Sequence, residues 1–292
     1  MPLYAGKAIS FSKKSIESII TMWDVHLHSS FSADSETPPT EQIRRAIELG
    51  LDGICFTDHC DYDYPENPDG TPLKNWVLDI PPYLKEISKL KYEYIGEIEI
   101  CCGIELGLQP HLAEQLRTLI RNTPFDFVIG SSHLAHRRDV YFKEYYEGRS
   151  EREAFTEYFE SILENLEAFE DFDVYGHLDY VVRYGPNKND NYSYAAYADI
   201  LDEILKKLIW LGKGIELNTA GFKQGLGHPH PTEDVIRRYR ELGGEIITTG
   251  ADAHAPEYVG FEFKKAAEIL KSCGFKYYAV FRGRDPEFLS LT

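Results

Sequence analysis

Short apolar runs recur along the chain, each followed by a polar loop and then a stretch whose apolar positions return every three to four residues. The first run, Trp23-Asp24-Val25-His26-Leu27-His28, alternates with period two. A strand there puts Asp24, His26 and His28 on one face and Val25 and Leu27 on the other. Further strands are predicted at 51–57, 98–106, 125–131, 173–176, 214–218 and 245–249, with an eighth strand-like run at 276–281. The intervening periodicity predicts helices. One opens at Thr37-Pro38, with proline at its first position, and stops at Gly50. Others are expected near 79–91, 111–120, 151–169, 193–211, 231–243 and 262–271. Residues 61–75 and 184–192 are rich in Pro, Asp, Asn and Gly and read as irregular loops.

Alternation of strand and helix predicts a parallel α/β fold. A barrel is favoured over an open sheet because of where the polar residues fall. His26, Glu105, His133, His177, Asp252 and His254 all stand at the ends of separate predicted strands. In a barrel those ends converge on one mouth. An open sheet would spread them along an edge, and would usually carry a glycine-rich phosphate loop after its first strand, which this sequence lacks.

The same residue types repeat at these ends. Two imidazoles at i and i+2 on a strand can grip one metal, and Asp24 is placed to orient one of them. Asp252-Ala253-His254 repeats a carboxylate–imidazole pair, Thr57-Asp58-His59 ends an apolar strand, and Glu105 lies inside the apolar run GIELG. A carboxylate in such a run needs a partner, and a metal cluster supplies one. Ser131-Ser132-His133 and Gly176-His177-Leu178-Asp179 complete the pattern. A set of imidazoles and carboxylates suits Zn, Mn or Fe and is poor for Ca or Cu(I).

Composition narrows the partners. The formal net charge is −17, with a pI near 5.0, so the long-range field repels nucleic acid and anionic membrane alike. A small phosphorylated metabolite in a local cationic or metal-lined pocket is the expected partner. The aromatic run around Phe142, Tyr145, Tyr146, Phe155, Tyr158 and Phe159 is interleaved with glutamates, which favours packing over the barrel rather than base stacking. The five cysteines form no close C-x-x-C pair and read as reduced, buried thiols of a cytoplasmic protein. Residues 1–21 lack the long apolar core of a secretory signal. They are read either as a mobile extension or as the product of an upstream start, preceding one barrel domain over 22–292.

The motifs WDVHLHSSFSAD, FTDHCD, GIELG, GSSH, YGHLDYVVRYG and TGADAH, in this order, resemble those of the polymerase-and-histidinol-phosphatase (PHP) superfamily. The resemblance implies a distorted, TIM-like (β/α)7 barrel holding three divalent metals. It implies that His26, His28, Glu105 and Asp252 hold the first metal, and that Glu105 bridges to a second completed by His133 and His177. It assigns Asp34, His59 and His254 to the third. Within the superfamily, EYFESILENLEAF, FDVYGHLDYVVRYG and ELNTAGFKQGLGHPHP are similar to the histidinol-phosphate phosphatase branch. The implied reaction is hydrolysis of L-histidinol phosphate, a step of histidine biosynthesis. A hydroxide held between the first two metals would attack phosphorus, and Asp252, a rim histidine or a metal-bound water would protonate the leaving alkoxide.

The resemblance also makes Arg183, past His177, a clamp for the substrate phosphate, a role that suits guanidinium geometry. Arg137 and Arg138 are further phosphate candidates. His228 and His230 could line the pocket or cap the next helix, and Tyr180 and Tyr184 could close over an imidazole. Competing readings are a phosphoesterase for nucleoside monophosphates or short oligonucleotides, a metal-dependent amidohydrolase, and a non-enzymatic metal-binding module. The amidohydrolase would usually need a bridging lysine, and no strand-end lysine fits. The binding module would close its coordination shell and leave no open position.

Overall fold

The computed structural model describes residues 22–291; the sequence reading of 1–21 lies outside them. Seven parallel strands follow one another in chain order: β1 (Trp23–Leu27), β2 (Gly53–Phe56), β3 (Glu99–Gly107), β4 (Phe127–Ser131), β5 (Val174–Tyr175), β6 (Gly214–Asn218) and β7 (Ile247–Gly250). Helices cover the outside: α1 (Pro39–Leu49), α2 (Ile80–Glu93), α3 (Ala113–Asn122), α4 (Glu151–Ala168), α5 (Ala198–Trp210), α6 (Glu233–Glu241) and α7 (Phe263–Ser272). Parallel pairing requires such crossovers, and both faces of the sheet are thereby buried. The strands accordingly read as near-continuous buried runs.

The barrel is nearly closed. At the end of β1 and just past β7, an isolated parallel bridge joins Leu27 to Ala253. Asp252 N–H donates to the His26 carbonyl (2.9 Å), and His28 N–H donates to the Ala253 carbonyl (3.0 Å). Asp24 seals the same seam. Its carboxylate accepts the backbone N–H groups of Ala251 (3.0 Å) and Gly260 (2.9 Å). This corrects the sequence expectation for Asp24, which orients no imidazole. Burial pushes its carboxyl up to about 7 against the backbone donors that favour the charged form.

The eighth strand-like run does not join the barrel. It is β8 (Tyr277–Arg282), which folds back antiparallel on β9 (Asp285–Ser290). This hairpin floors the end where the strands begin. Trp23 N–H donates to the Tyr278 hydroxyl (3.2 Å), Phe281 stacks on Phe127 at 5.0 Å, and Arg284 Nε donates to Asp173 Oδ2 (2.6 Å). The opposite end, where the strands finish, is left for the polar residues.

Local details follow the chain's chemistry. Gly50 ends α1 at φ 73°, a left-handed conformation that costs glycine little. The helix starts one residue later than expected, at Pro39, because the Thr37 hydroxyl donates to the His254 carbonyl (2.9 Å) instead of capping. Ser150 and Glu153 form a reciprocal capping box that opens α4. Phe155, Tyr158 and Phe159 of that helix are fully buried, so the aromatic run does pack over the barrel. All five cysteines are unpaired and buried. No helix among the described residues is long and apolar enough to cross a membrane.

The hairpin's hold on the floor is testable. Arg284→Ala leaves the buried Asp173 carboxylate without its cation and is expected to cost about 1–3 kcal/mol. Denaturant unfolding should show the lowered midpoint while metal content stays unchanged. An unaltered midpoint would mean the hairpin does not brace the barrel.

Candidate metal centre

The nine residues assigned by resemblance converge at the mouth of the barrel. His26 Nε2 stands 3.1 Å from His28 Nε2 and 3.2 Å from Glu105 Oε2. Asp252 Oδ1 is 3.3 Å from His28 Nε2. On the other side of Glu105, Oε1 is 2.7 Å from His177 Nε2 and 3.3 Å from His133 Nε2. Asp34 Oδ2 reaches His254 Nε2 at 3.0 Å and His59 Nε2 at 3.7 Å. The His28 ring lies between those of His59 and His254, each 4.1 Å away by centroid. Glu105, His26 and His28 are wholly buried, while Asp34 and His254 are partly open.

Surrounding groups fix which nitrogen three of the imidazoles present. The Ser32 hydroxyl donates to Asp58 (2.7 Å), so its oxygen must accept from His28 Nδ1 (3.1 Å). Asp58 also takes the backbone N–H (2.7 Å) and the hydroxyl of Ser29. His133 Nδ1 donates to Asp61 (2.6 Å), and His26 Nδ1 donates to Glu216 (2.7 Å). With Nδ1 engaged, all three rings turn Nε2 inward.

Buried charge tunes the cluster. Burial opposes ionisation of Glu105, yet His26, His59 and His133 hold its carboxyl well below the usual range. Asp252 is likewise held low, against burial, by His28, His26, His254 and Arg183. His28 is pushed down by burial and by His59 and His254. His59 is raised to about 9, because Glu105 and Asp34 outweigh its burial. Glu105 Oε2, His59 Nδ1 and His254 Nε2 are buried without a hydrogen-bond partner. His59 Nδ1 lies 2.9 Å from Glu105 Oε2, yet makes no hydrogen bond with it. Converging donors that satisfy one another so poorly fit cations placed among them. Four groups of three donors lie close enough to share an ion: His26–His28–Asp252, His26–Glu105–His177, His28–His59–His254 and His59–Asp61–His133. The clusters suit divalent ions.

Two glycines make room for this packing. A Cβ on Gly250 would stand 2.2 Å from Glu216 Oε1 and 2.4 Å from the His26 Cβ. One on Gly107 would stand 2.0 Å from Asp61 Oδ1. Asp252 itself sits at φ 53°, a conformation non-glycine residues adopt at a cost.

A cavity of about 280 Å³ opens beside the cluster, lined by Asp34, His133, Arg183, Tyr184, Lys223 and His254 among others. Arg183 lies on a short turn (Tyr180–Arg183) after β5, its guanidinium 4.5 Å from the Tyr180 ring centre. Its Nη2 is buried, has no hydrogen-bond partner and lies 3.6 Å from Asp252 Oδ2.

Other candidates fall elsewhere, and here the structure corrects the sequence reading. His136 and Arg137 take positive φ (47° and 63°), forming a tight turn between Leu134–Ala135 and Arg138–Asp139. That turn aims the segment at α4, where Arg138 pairs with Glu157 and His136 with Glu157 and Glu164. Arg137 lines a separate cavity with Leu134 and Glu164. Neither Arg137 nor Arg138 lines the metal-side cavity. His230 is wholly buried beneath Arg183, not in the cavity wall. Its Nδ1 is bonded to Asp179, and burial pushes it down to about 4 despite that carboxylate. His228 Nδ1 donates to the Pro229 carbonyl (2.7 Å), and exposed His111 pairs with Asp63.

Sequence reasoning missed Glu216, Asp61 and Lys223. Glu216 had a visible signal, because GIELN repeats the GIELG of the Glu105 strand. It grips His26 and also accepts the His177 backbone N–H (3.0 Å). Lys223 gave none, since it ends a four-residue helix (Ala220–Lys223) inside the Gly- and Pro-rich run that follows β6.

Comparison with known proteins agrees with this architecture. The PHP domain family model matches residues 24–220. The histidinol-phosphatase of Lactococcus lactis is 36% identical over 261 residues, spanning 89% of this chain and 94% of its own. A crystal structure of histidinol phosphate phosphatase from that organism, complexed with zinc, L-histidinol and phosphate, superposes with a TM-score of 0.84. It is 34% identical and covers 91% of this chain and 100% of that one. The histidinol-phosphatase of Bacillus subtilis is 26% identical over 268 residues, spanning 84% of this chain and 98% of its own. A parallel barrel that pools imidazoles and carboxylates around one mouth is the architecture of a metal-dependent hydrolase. The chain belongs to the PHP family, on its histidinol-phosphatase branch.

Two substitutions probe the centre. Glu216→Ala frees the His26 ring and is expected to weaken metal retention about 10- to 100-fold in a chelator competition. Retention equal to the parent's would show that Glu216 does not orient His26. His177→Ala should lower metal stoichiometry by elemental analysis. A full metal complement would remove His177 from the ligand set.

Proposed function

We propose that the protein hydrolyses L-histidinol phosphate to L-histidinol and phosphate, using three divalent ions drawn from Zn, Mn or Fe. Residues 22–292 would act as one distorted (β/α)7 barrel domain. His26, His28, Glu105 and Asp252 would hold the first ion. Glu105, His133 and His177 would hold the second, and Asp34, His59 and His254 the third. The observation that carries this reading is the buried nitrogen–oxygen cluster with Arg183, whose Nη2 lacks a hydrogen-bond partner, lining the same cavity. The zinc, L-histidinol and phosphate held by the Lactococcus lactis relative support the substrate.

A divalent cluster, when bound, supplies activation of water near neutral pH and neutralisation of phosphoryl charge. The chain's own residues supply position. Glu105 presents one oxygen to each neighbouring ligand group, so a single carboxylate couples the first two sites. Arg183 offers its unpartnered Nη2 to phosphate oxygens, and Lys223 adds a second cation to the cavity wall. Tyr180 backs the guanidinium, and its ring also lies against His133 and His177, which narrows water access on that side. Asp252 stays ionised in this field, which favours its role as ligand over that of proton donor to the leaving alkoxide. The cavity is small and the outer face of α4 is acidic, features that favour a compact metabolite over an oligonucleotide.

Steady-state kinetics with histidinol phosphate, AMP and p-nitrophenyl phosphate, after reconstitution with Zn or Mn separately, test the substrate. The expected result is at least a tenfold advantage in kcat/KM for histidinol phosphate, about 1.4 kcal/mol of transition-state discrimination. A preference for AMP would overturn the assignment. Arg183→Ala should keep the metals and lower kcat/KM on the preferred substrate about 100-fold. Unchanged kinetics would take Arg183 out of the phosphate site.

A further inference from the structure

Arg183 is held by more than the ring beneath it. Its Nε is 3.4 Å from His230 Nε2. A guanidinium nitrogen is always a donor, so His230 Nε2 must carry a lone pair. The His230 proton then belongs on Nδ1, the nitrogen bonded to Asp179. Asp179, which stands two residues after His177, is wholly buried and also accepts the Thr232 backbone N–H (3.2 Å). The His230 backbone is pinned as well, exchanging hydrogen bonds with Asn218 at the end of β6 (2.8 Å each way). Every degree of freedom of this imidazole is taken, and its one remaining lone pair points at Arg183.

We propose that Asp179 and His230 are positioning residues that fix the edge of the Arg183 guanidinium from behind. Asp179 sets the tautomer of His230. His230 engages Nε, and the Nη groups are left to face the phosphate. His230 touches no substrate. The proposal rests on the reading of Arg183 as phosphate clamp, and it adds two residues outside the metal ligands to the substrate machinery.

The isosteric pair of amides tests it in the metal-loaded full chain. In His230→Gln the side-chain oxygen reaches the position of Nε2 and still accepts from Arg183. In His230→Asn the amide reaches only the position of Nδ1 and leaves Arg183 unheld. His230→Asn is expected to raise KM for p-nitrophenyl phosphate, and the inhibition constant for inorganic phosphate, about 10- to 100-fold, with metal content intact. His230→Gln should restore both to within about threefold of the parent, and His230→Asn should add nothing in an Arg183→Ala background. Nitrogen-15 imidazole shifts should place the His230 proton on Nδ1 in the parent and move it to Nε2 in Asp179→Asn.

Equal behaviour of the Gln and Asn variants overturns the proposal. So does an Asn effect that persists in full without Arg183, or a parent His230 protonated on Nε2. Calorimetric binding of inorganic phosphate to the metal-loaded protein separates the two readings. Turnover of no phosphomonoester by the parent defeats the enzymatic assignment. Phosphate binding weakened by Arg183→Ala but untouched by His230→Asn defeats the relay alone.

Discussion

Taking the Glu105 carboxylate out of water is the constraint around which this molecule is arranged. It is wholly buried near the mouth end of β3, where an isolated charge would be strongly disfavoured. The chain answers with imidazoles on β1 and just beyond β2, β4 and β5, all turned toward one carboxylate. His26 and His133 are in turn held by Glu216 and Asp61, and the neighbouring His28 by the Ser32–Asp58 pair. Few surface groups enter this network. Its order comes from hydrogen bonds whose direction is fixed by which partner can donate.

The barrel divides its labour between two ends. At the floor, the β8–β9 hairpin ties the starts of β1, β4 and β5 together through Tyr278, Phe281 and Arg284. At the mouth, the strand ends carry groups that attract or repel one another according to charge state, which is poor material for stability on its own. Bracing one end leaves the other free to hold residues in costly conformations, as at Asp252.

Much of this was readable from the chain. Period-two alternation in WDVHLH, one buried carboxylate in GIELG and repeated imidazoles at strand ends all carry local signals, and the structure places them together. What was unreadable depended on partners distant in sequence. Asp24 looks like an orienting carboxylate until the backbone N–H groups of Ala251 and Gly260 arrive to claim it. Arg137 and Arg138 follow His133 by only a few residues, yet a two-residue left-handed turn swings them onto α4. Proximity in sequence says little where backbone sign changes. The 276–281 run has the composition of a barrel strand, and only its antiparallel return to β9 shows that it is a floor.

The occupied space above two α-carbons has a consequence for anyone surveying variation in this fold. Gly107 and Gly250 bear no donor atom, yet even a methyl group at either would evict a carboxylate that orients an imidazole. A saturation screen scored on growth would therefore rank both positions alongside the ligands themselves. A map of essential sites drawn from such a screen would include two residues whose side-chain contribution is to be absent.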